Sequence, residues 1–122
     1  VGAARRIVAE CAGKVPGTMD ALLTLPGVAR KTANVVLGVW FRKASGIVVD
    51  THVTRISQRL ELTRNEAAEK IEADLQKLIP PKDWISFSHR VIAHGRQTCI
   101  ARKPRCAACI LEPVCFFKDK TV

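Results

Sequence analysis

Leu25-Pro26-Gly27-Val28-Ala29-Arg30-Lys31-Thr32-Ala33 interrupts one short helical pattern and starts another. Proline followed by glycine stops a helix, and glycine supplies the backbone freedom that a sharp reversal needs. Just upstream, Val15-Pro16-Gly17-Thr18 reads as a turn whose Thr18 can cap a short helix over Asp20 to Thr24. Downstream, a second helix resumes from about Ala29 and carries Ala33, Val36, Leu37 and Trp40 on one apolar face, until residues 41–46 end it. Two short helices around a tight turn leave the first amides of the second helix unpaired. Those amides and the positive end of the helix dipole can seat a phosphate without any base-specific side chain. Gly27, Val28, Ala29 and Arg30 are therefore candidate contacts to a nucleic-acid backbone.

Working outward, Val1, Ile7, Val8 and Cys11 follow a helical rhythm before the hairpin. After it, Gly46-Ile47-Val48-Val49 is apolar and β-branched but has no evident partner strand, and is expected as buried extended chain. Val53, Ile56 and Leu60 mark a helix near residues 51–60. Thr63-Arg64-Asn65-Glu66 has the form of a capping box, followed by Ala68, Ile71, Leu75, Leu78 and Ile79 as the buried stripe of a long helix that Pro80-Pro81 ends. Asp83 can cap a last helix in which Trp84, Phe87 and Val91 share a face toward Gly95. The expected fold class is all-α. A helical body over residues 1–95, with its hairpin at about 20–40, precedes a cysteine-organised tail over 96–122. Trp40 and Trp84 are expected in the core, since 5% aromatic residues cannot build a base-stacking platform.

A chain of 122 residues with 48% hydrophobic content can bury one domain's core. Its apolar stretches fall far short of the roughly 20 residues of a membrane span, so a soluble monomer without a membrane partner is expected. Lys and Arg outnumber Asp and Glu by 20 to 11, and the resulting charge of +9 attracts polyanions, with nucleic acid the leading partner. Of five cysteines, Cys99, Cys106, Cys109 and Cys115 crowd into 17 residues, which argues for a metal site over disulfides and for a reducing cytosolic or nuclear compartment. The spacing Cys99-x6-Cys106-x2-Cys109-x5-Cys115 suits either a 4Fe-4S cluster or a tetrahedral zinc. Zinc is the weaker candidate, because structural zinc sites commonly use two C-x2-C knuckles and only one such pair is present. Arg102, Lys103 and Arg105 lie inside the six-residue gap, where they can meet phosphates. Cys11 fits no ligand spacing and is expected as a buried apolar residue. His52, His89 and His94 lack the i, i+4 partner of a helical zinc site and are assigned structural or phosphate-contacting roles.

Two further residues carry chemistry. Lys31 falls in the first turn of the second hairpin helix, where the positive dipole end and neighbouring Arg30 disfavour a charged amine. Asp50 stands at a helix start in Val48-Val49-Asp50-Thr51-His52, where the plain reading is an N-cap. The Leu-Pro-Gly-Val hairpin with its following lysine, the Val-Asp-Thr-His stretch and the four-cysteine loop occur in the order found in the endonuclease III family, and the resemblance covers essentially the whole chain. It implies a helix-hairpin-helix glycosylase-type bundle with a C-terminal iron-sulfur loop, and a 4Fe-4S cluster on Cys99, Cys106, Cys109 and Cys115. It also implies double-stranded DNA containing damaged bases or abasic sites as the partner. By the same resemblance, Lys31 is the nucleophile and Asp50 its acidic partner in base excision repair. Oxidised pyrimidines would be removed, and the abasic strand cut by β-elimination through a lysine Schiff base. The adenine-specific mismatch glycosylases lack a lysine here, so Lys31 favours the bifunctional type.

The sequence departs from the family pattern at Ala29, where a second glycine is usual; a methyl group there is expected to weaken DNA contact. Family members also carry additional N-terminal helices. Two other readings therefore stand beside the first. One is a DNA-binding module that keeps hairpin and cluster but catalyses little; the other is a zinc-organised structural domain in which Lys31 is a surface charge. The resemblance implies a cytoplasmic, nucleoid-associated location in a bacterium or archaeon, and a nuclear or mitochondrial one in a eukaryote.

Overall fold

The computed structural model describes residues 1–43 and 45–121. Six α-helices follow one another among them: α1 Gly2–Glu10, α2 Met19–Leu23, α3 Arg30–Val39, α4 Thr51–Arg59, α5 Ala68–Leu78 and α6 Trp84–Gln97. Short 3-10 turns occupy Pro81–Asp83, Cys106–Ala108 and Glu112–Val114, and no described residue is in a strand. Among the described residues, no helix is long and apolar enough to cross a membrane.

Two apolar clusters hold these helices. The first joins α2 and α3 through Leu22, Leu25, Ala33 and Leu37, with Ala3 and Ile7 of α1 packed against it. The second is built on the extended stretch before α4. Ile47 and Val49 pack there with Val53, Ile71 and Leu75, and α6 closes the cluster with Trp84, Phe87, Val91 and Ile92. Each large side chain in that group contributes about 1.5–3 kcal/mol by leaving water. Extended chain alone cannot persist, so Gly46–Val49 takes its shape from the helices on either side. Helices α4 and α6 approach closely at Gly95, where a Cβ would stand 2.9 Å from His52 Nδ1 and 3.1 Å from the Arg55 guanidinium.

Several local expectations are corrected. Trp40 is 78% exposed. The five residues of α2 span only about 7.5 Å at 1.5 Å per residue, too short to cover the end of α3, and Phe41 packs on the cluster instead. Leu78 is exposed because the chain leaves the helix at Ile79, which enters the core in its place. Thr63 does not cap α5, which starts five residues later with Ala67 as N-cap. Its hydroxyl instead accepts from the Asn65 amide and donates to Asp74 at 2.7 Å. Asp83 precedes α6 without a side-chain capping bond, because the Pro81–Asp83 turn runs directly into the helix. Cys11 is half-buried at the end of α1, a helix none of whose residues is fully buried.

Candidate active site and cysteine loop

The hairpin is built by backbone demands. Thr18 Oγ1 accepts from the Ala21 amide at 3.3 Å, starting α2. The Val28 amide donates to the Leu25 carbonyl at 3.2 Å, with Pro26 and Gly27 between them and Gly27 at φ +77°. Proline followed by a positive-φ glycine is the arrangement of a type II turn. A Cβ on Gly27 would touch nothing within 4 Å, so conformation alone requires glycine there. Ala29, by contrast, is extended at φ −96° and ψ 175°, a geometry any residue adopts. The missing second glycine therefore imposes no backbone strain. As N-cap of α3, Ala29 offers no side-chain acceptor, and the first amides of that helix face outward uncapped.

Lys31 and Asp50 line the same open cleft. Together with Val49, Thr51, Thr54, Arg55 and Gln58 they line a space of about 470 Å³. Asp50 is the N-cap of α4, and its Oδ1 accepts from the Val53 amide at 2.8 Å. Capping thus occupies one carboxylate oxygen and leaves Oδ2 for the cleft. Lys31 is exposed and forms no ion pair among the described residues. Lys31 stands in the first turn of α3 and Asp50 at the start of α4, and the buried Ile47 and Val49 anchor the chain between them.

A buried polar network behind the cleft was not foreseen from the sequence. Glu72 of α5 is 5% exposed. Its Oε1 accepts from Arg30 Nε at 2.6 Å, and its Oε2 from Asn34 Nδ2 and the Ile47 amide at 3.1 Å each and from Gln76 at 3.2 Å. Asn34 in turn accepts from the Ser45 hydroxyl at 3.0 Å. The hydrogen bond from Arg30 to Glu72 raises the guanidinium's pKa further above its ordinary value, against a smaller opposing effect of burial. The Arg30 guanidinium is therefore held by Glu72 while its side chain stays partly exposed. The overlooked signal was an acidic residue at position 72 between Ile71 and Leu75, inside an apolar helix face.

The cysteine loop is organised from α4. Arg55 donates to the Cys99 carbonyl at 3.0 Å and to Gly95 at 3.1 Å, satisfying the end of α6. One turn later, Arg59 donates to Cys99 Sγ at 3.1 Å and to the Ile100 and Ala101 carbonyls at 3.0 and 3.1 Å. Its guanidinium lies 4.2 Å from the Phe117 ring centroid. Cys99, Cys106, Cys109 and Cys115 are free thiols lining a single cavity with Arg59, Arg105 and Lys120. Yet among the described residues no three His, Cys, Asp or Glu side chains converge as one ion would require. His94 Nε2 lies 3.5 Å from Cys109 Sγ. Arg102, Lys103 and Arg105 are exposed along the loop's rim.

With this geometry in place, similarity to known proteins is informative. Residues 3–81 match the model of the HhH-GPD superfamily of base excision DNA repair proteins. The chain is 57% identical to endonuclease III of Synechocystis sp. over 93% of its length and 52% of that protein. It is 46% identical to endonuclease III of Escherichia coli strain K12, over 88% of its length and 51% of that protein. It thus spans about half the length of the curated relatives it matches. Its fold superposes on endonuclease III in a trapped covalent intermediate with DNA at a TM-score of 0.87, with 41% identity, covering 93% of this chain and 54% of the other.

Proposed function

The chain belongs to the HhH-GPD superfamily of base excision DNA repair proteins, and from that premise we propose that it is the lysine-bearing half of a DNA glycosylase that also cuts the abasic strand. The observation that carries this reading is the placement of Lys31 and Asp50 on one cleft beside the hairpin. The uncapped amides of α3 take a backbone phosphate, and a flipped nucleotide reaches the cleft at an unstacking cost of a few kcal/mol that is lowest for a damaged base. The Lys31 amine attacks C1′ through its nitrogen lone pair, and the bond to the base breaks with its electron pair leaving on the base, which takes up a proton. Deprotonation of the attacking nitrogen and opening of the sugar ring leave an imine. Removal of a C2′ proton then expels the 3′ phosphate. Asp50, through the oxygen not engaged with Val53, offsets the developing positive charge and exchanges protons with the amine. Oxidised pyrimidines are the substrates this reading assigns.

Four free thiols around a shared cavity with cationic neighbours suit a 4Fe-4S cluster, and the single Cys106-x2-Cys109 pair makes zinc the weaker reading. Cys99, Cys106, Cys109 and Cys115 would hold it. Its contribution would be cohesion of the tail, which sets Arg102, Lys103 and Arg105 against phosphates.

The test is sodium borohydride trapping on abasic-site DNA, because hydride converts the imine to a stable secondary amine. The expected result is a covalent adduct from the unaltered chain and none from Lys31→Gln. No adduct from folded, iron-loaded protein would instead identify a DNA-binding module.

A further inference from the structure

We propose that Glu72 is a positioning residue for Lys31 and Asp50, its buried carboxylate tying the first turn of α3 to the segment that delivers the aspartate. The inference rests on the reading of Lys31 as nucleophile and adds the group that sets its place. Arg30 and Asn34, one helical turn apart, flank Lys31 and both donate to Glu72. The Ile47 amide, three residues before Asp50, donates to the same carboxylate. Gln76, one turn further along α5, holds Oε2 from the other side. Two separate stretches of chain, α3 and the Ile47 segment, therefore converge on one side chain of α5. Gly46 seals the arrangement, since any Cβ there would collide with Glu72 Oε2 and crowd the Asn34 amide.

A carboxylate is the group this junction requires. Every neighbour is a donor, and both oxygens must accept. Glutamine has the same shape but one acceptor, so its NH2 must face either Arg30 or the Ile47 and Asn34 donors. Turned one way it loses the Ile47 and Asn34 donors; turned the other it keeps Arg30 only through the longer Nη2 contact, 3.4 Å from Oε2. A catalytic pair displaced by about 1 Å can lose on the order of 100-fold in rate, which makes such a tie consequential.

The experiment compares the unaltered chain, Lys31→Gln, Glu72→Gln and Arg30→Gln. Single-turnover trapping on saturating abasic-site DNA is followed across pH, beside the Kd for that DNA and the melting temperature. Glu72→Gln is expected to slow trapping at least tenfold at every pH, leaving the shape of the pH profile unchanged and the Kd within threefold. A purely structural role would lower the amount of protein that reacts and leave its rate intact, which would overturn the proposal. Arg30→Gln removes the tie from its more open side, leaves Glu72 three donors, and is expected to slow trapping by a smaller factor. If Glu72→Gln does not fold, a wild-type trapping rate in Arg30→Gln overturns the proposal.

Zero-length carbodiimide coupling of Lys31 to Asp50, read as a cross-linked peptide by mass spectrometry, reports their placement without catalysis. Loss of the cross-link in folded Glu72→Gln or Arg30→Gln supports the positioning role even if the unaltered chain traps nothing, an outcome that would sink only the lyase reading. Equal cross-linking in the unaltered chain, Glu72→Gln and Arg30→Gln, or none in the unaltered chain, overturns it.

Discussion

Gly27 and Gly13 form a matched pair on which the hairpin argument can be tested. Both sit at φ +77°, and at both a Cβ would meet nothing within 4 Å. Alanine at either position therefore incurs the left-handed backbone cost of about 1–2 kcal/mol with no steric addition. Restriction of the unfolded chain returns about 0.4–1 kcal/mol of that, leaving a net loss near 1 kcal/mol. At this chain length that lowers the melting temperature by about 4 °C. The two substitutions should be nearly indistinguishable by calorimetry. They should differ in DNA binding, because Gly13 follows α1, whereas Gly27 shapes the turn that aims the first amides of α3. Fluorescence anisotropy with duplex DNA at fixed low salt should show Gly27→Ala binding about 3- to 10-fold more weakly, on the order of 1 kcal/mol, and Gly13→Ala binding as the unaltered chain does. Equal affinity losses in the two variants would refute the phosphate seat, and an unchanged melting temperature in both would refute the backbone argument.

Gly46→Ala should destabilise the fold by about 1–3 kcal/mol in denaturant titration, since its methyl group must displace Glu72 or Asn34. The pKa of Asp74 is lowered by hydrogen bonds from Thr63 and Asn65, so its carboxylate contributes stability above the unfolded value of about 3.9 and loses it as pH falls through the lower folded value. Asp74→Asn should accordingly melt below the unaltered chain at pH 7, with the gap closing in the acid range below about pH 4. Oxidative removal of the proposed cluster should abolish amide-exchange protection over residues 98–121 while Val53, Ile71 and Leu75 stay protected, because the core around them contains no residue of the cysteine tail.

The helical class, the hairpin and the extended stretch before α4 were legible because each rests on local chemistry. Apolar spacing, the Pro26-Gly27 pair and the caps at Thr18 and Asp50 act within a few residues. Misreadings occurred where a local signal met a longer-range competitor. Thr63 has the look of a cap, but its hydroxyl is claimed by Asp74, 11 residues away. Trp40 follows the apolar rhythm of α3 past the point where α2 can cover it. In the site, Lys31, Asp50 and the four cysteines stood out by residue type and motif. Glu72 carried only the faint signal of a charge within an apolar helix face, and Arg55 and Arg59 carried none, because a lone charged residue on a helix looks much the same in sequence whether it is solvated or buried.

By itself, the sequence determined which backbone shapes were possible and which side chains could do chemistry, since propensity, turn geometry and ligand type belong to individual residues and their near neighbours. Only the tertiary structure decided that Lys31 and Asp50 line one cleft, that Glu72 ties α3 to the Ile47 segment, and that Arg59 reaches Cys99 40 residues on. Burial creates that second kind of information: a carboxylate or guanidinium removed from water must find partners wherever packing places them, and packing is settled by the whole chain at once.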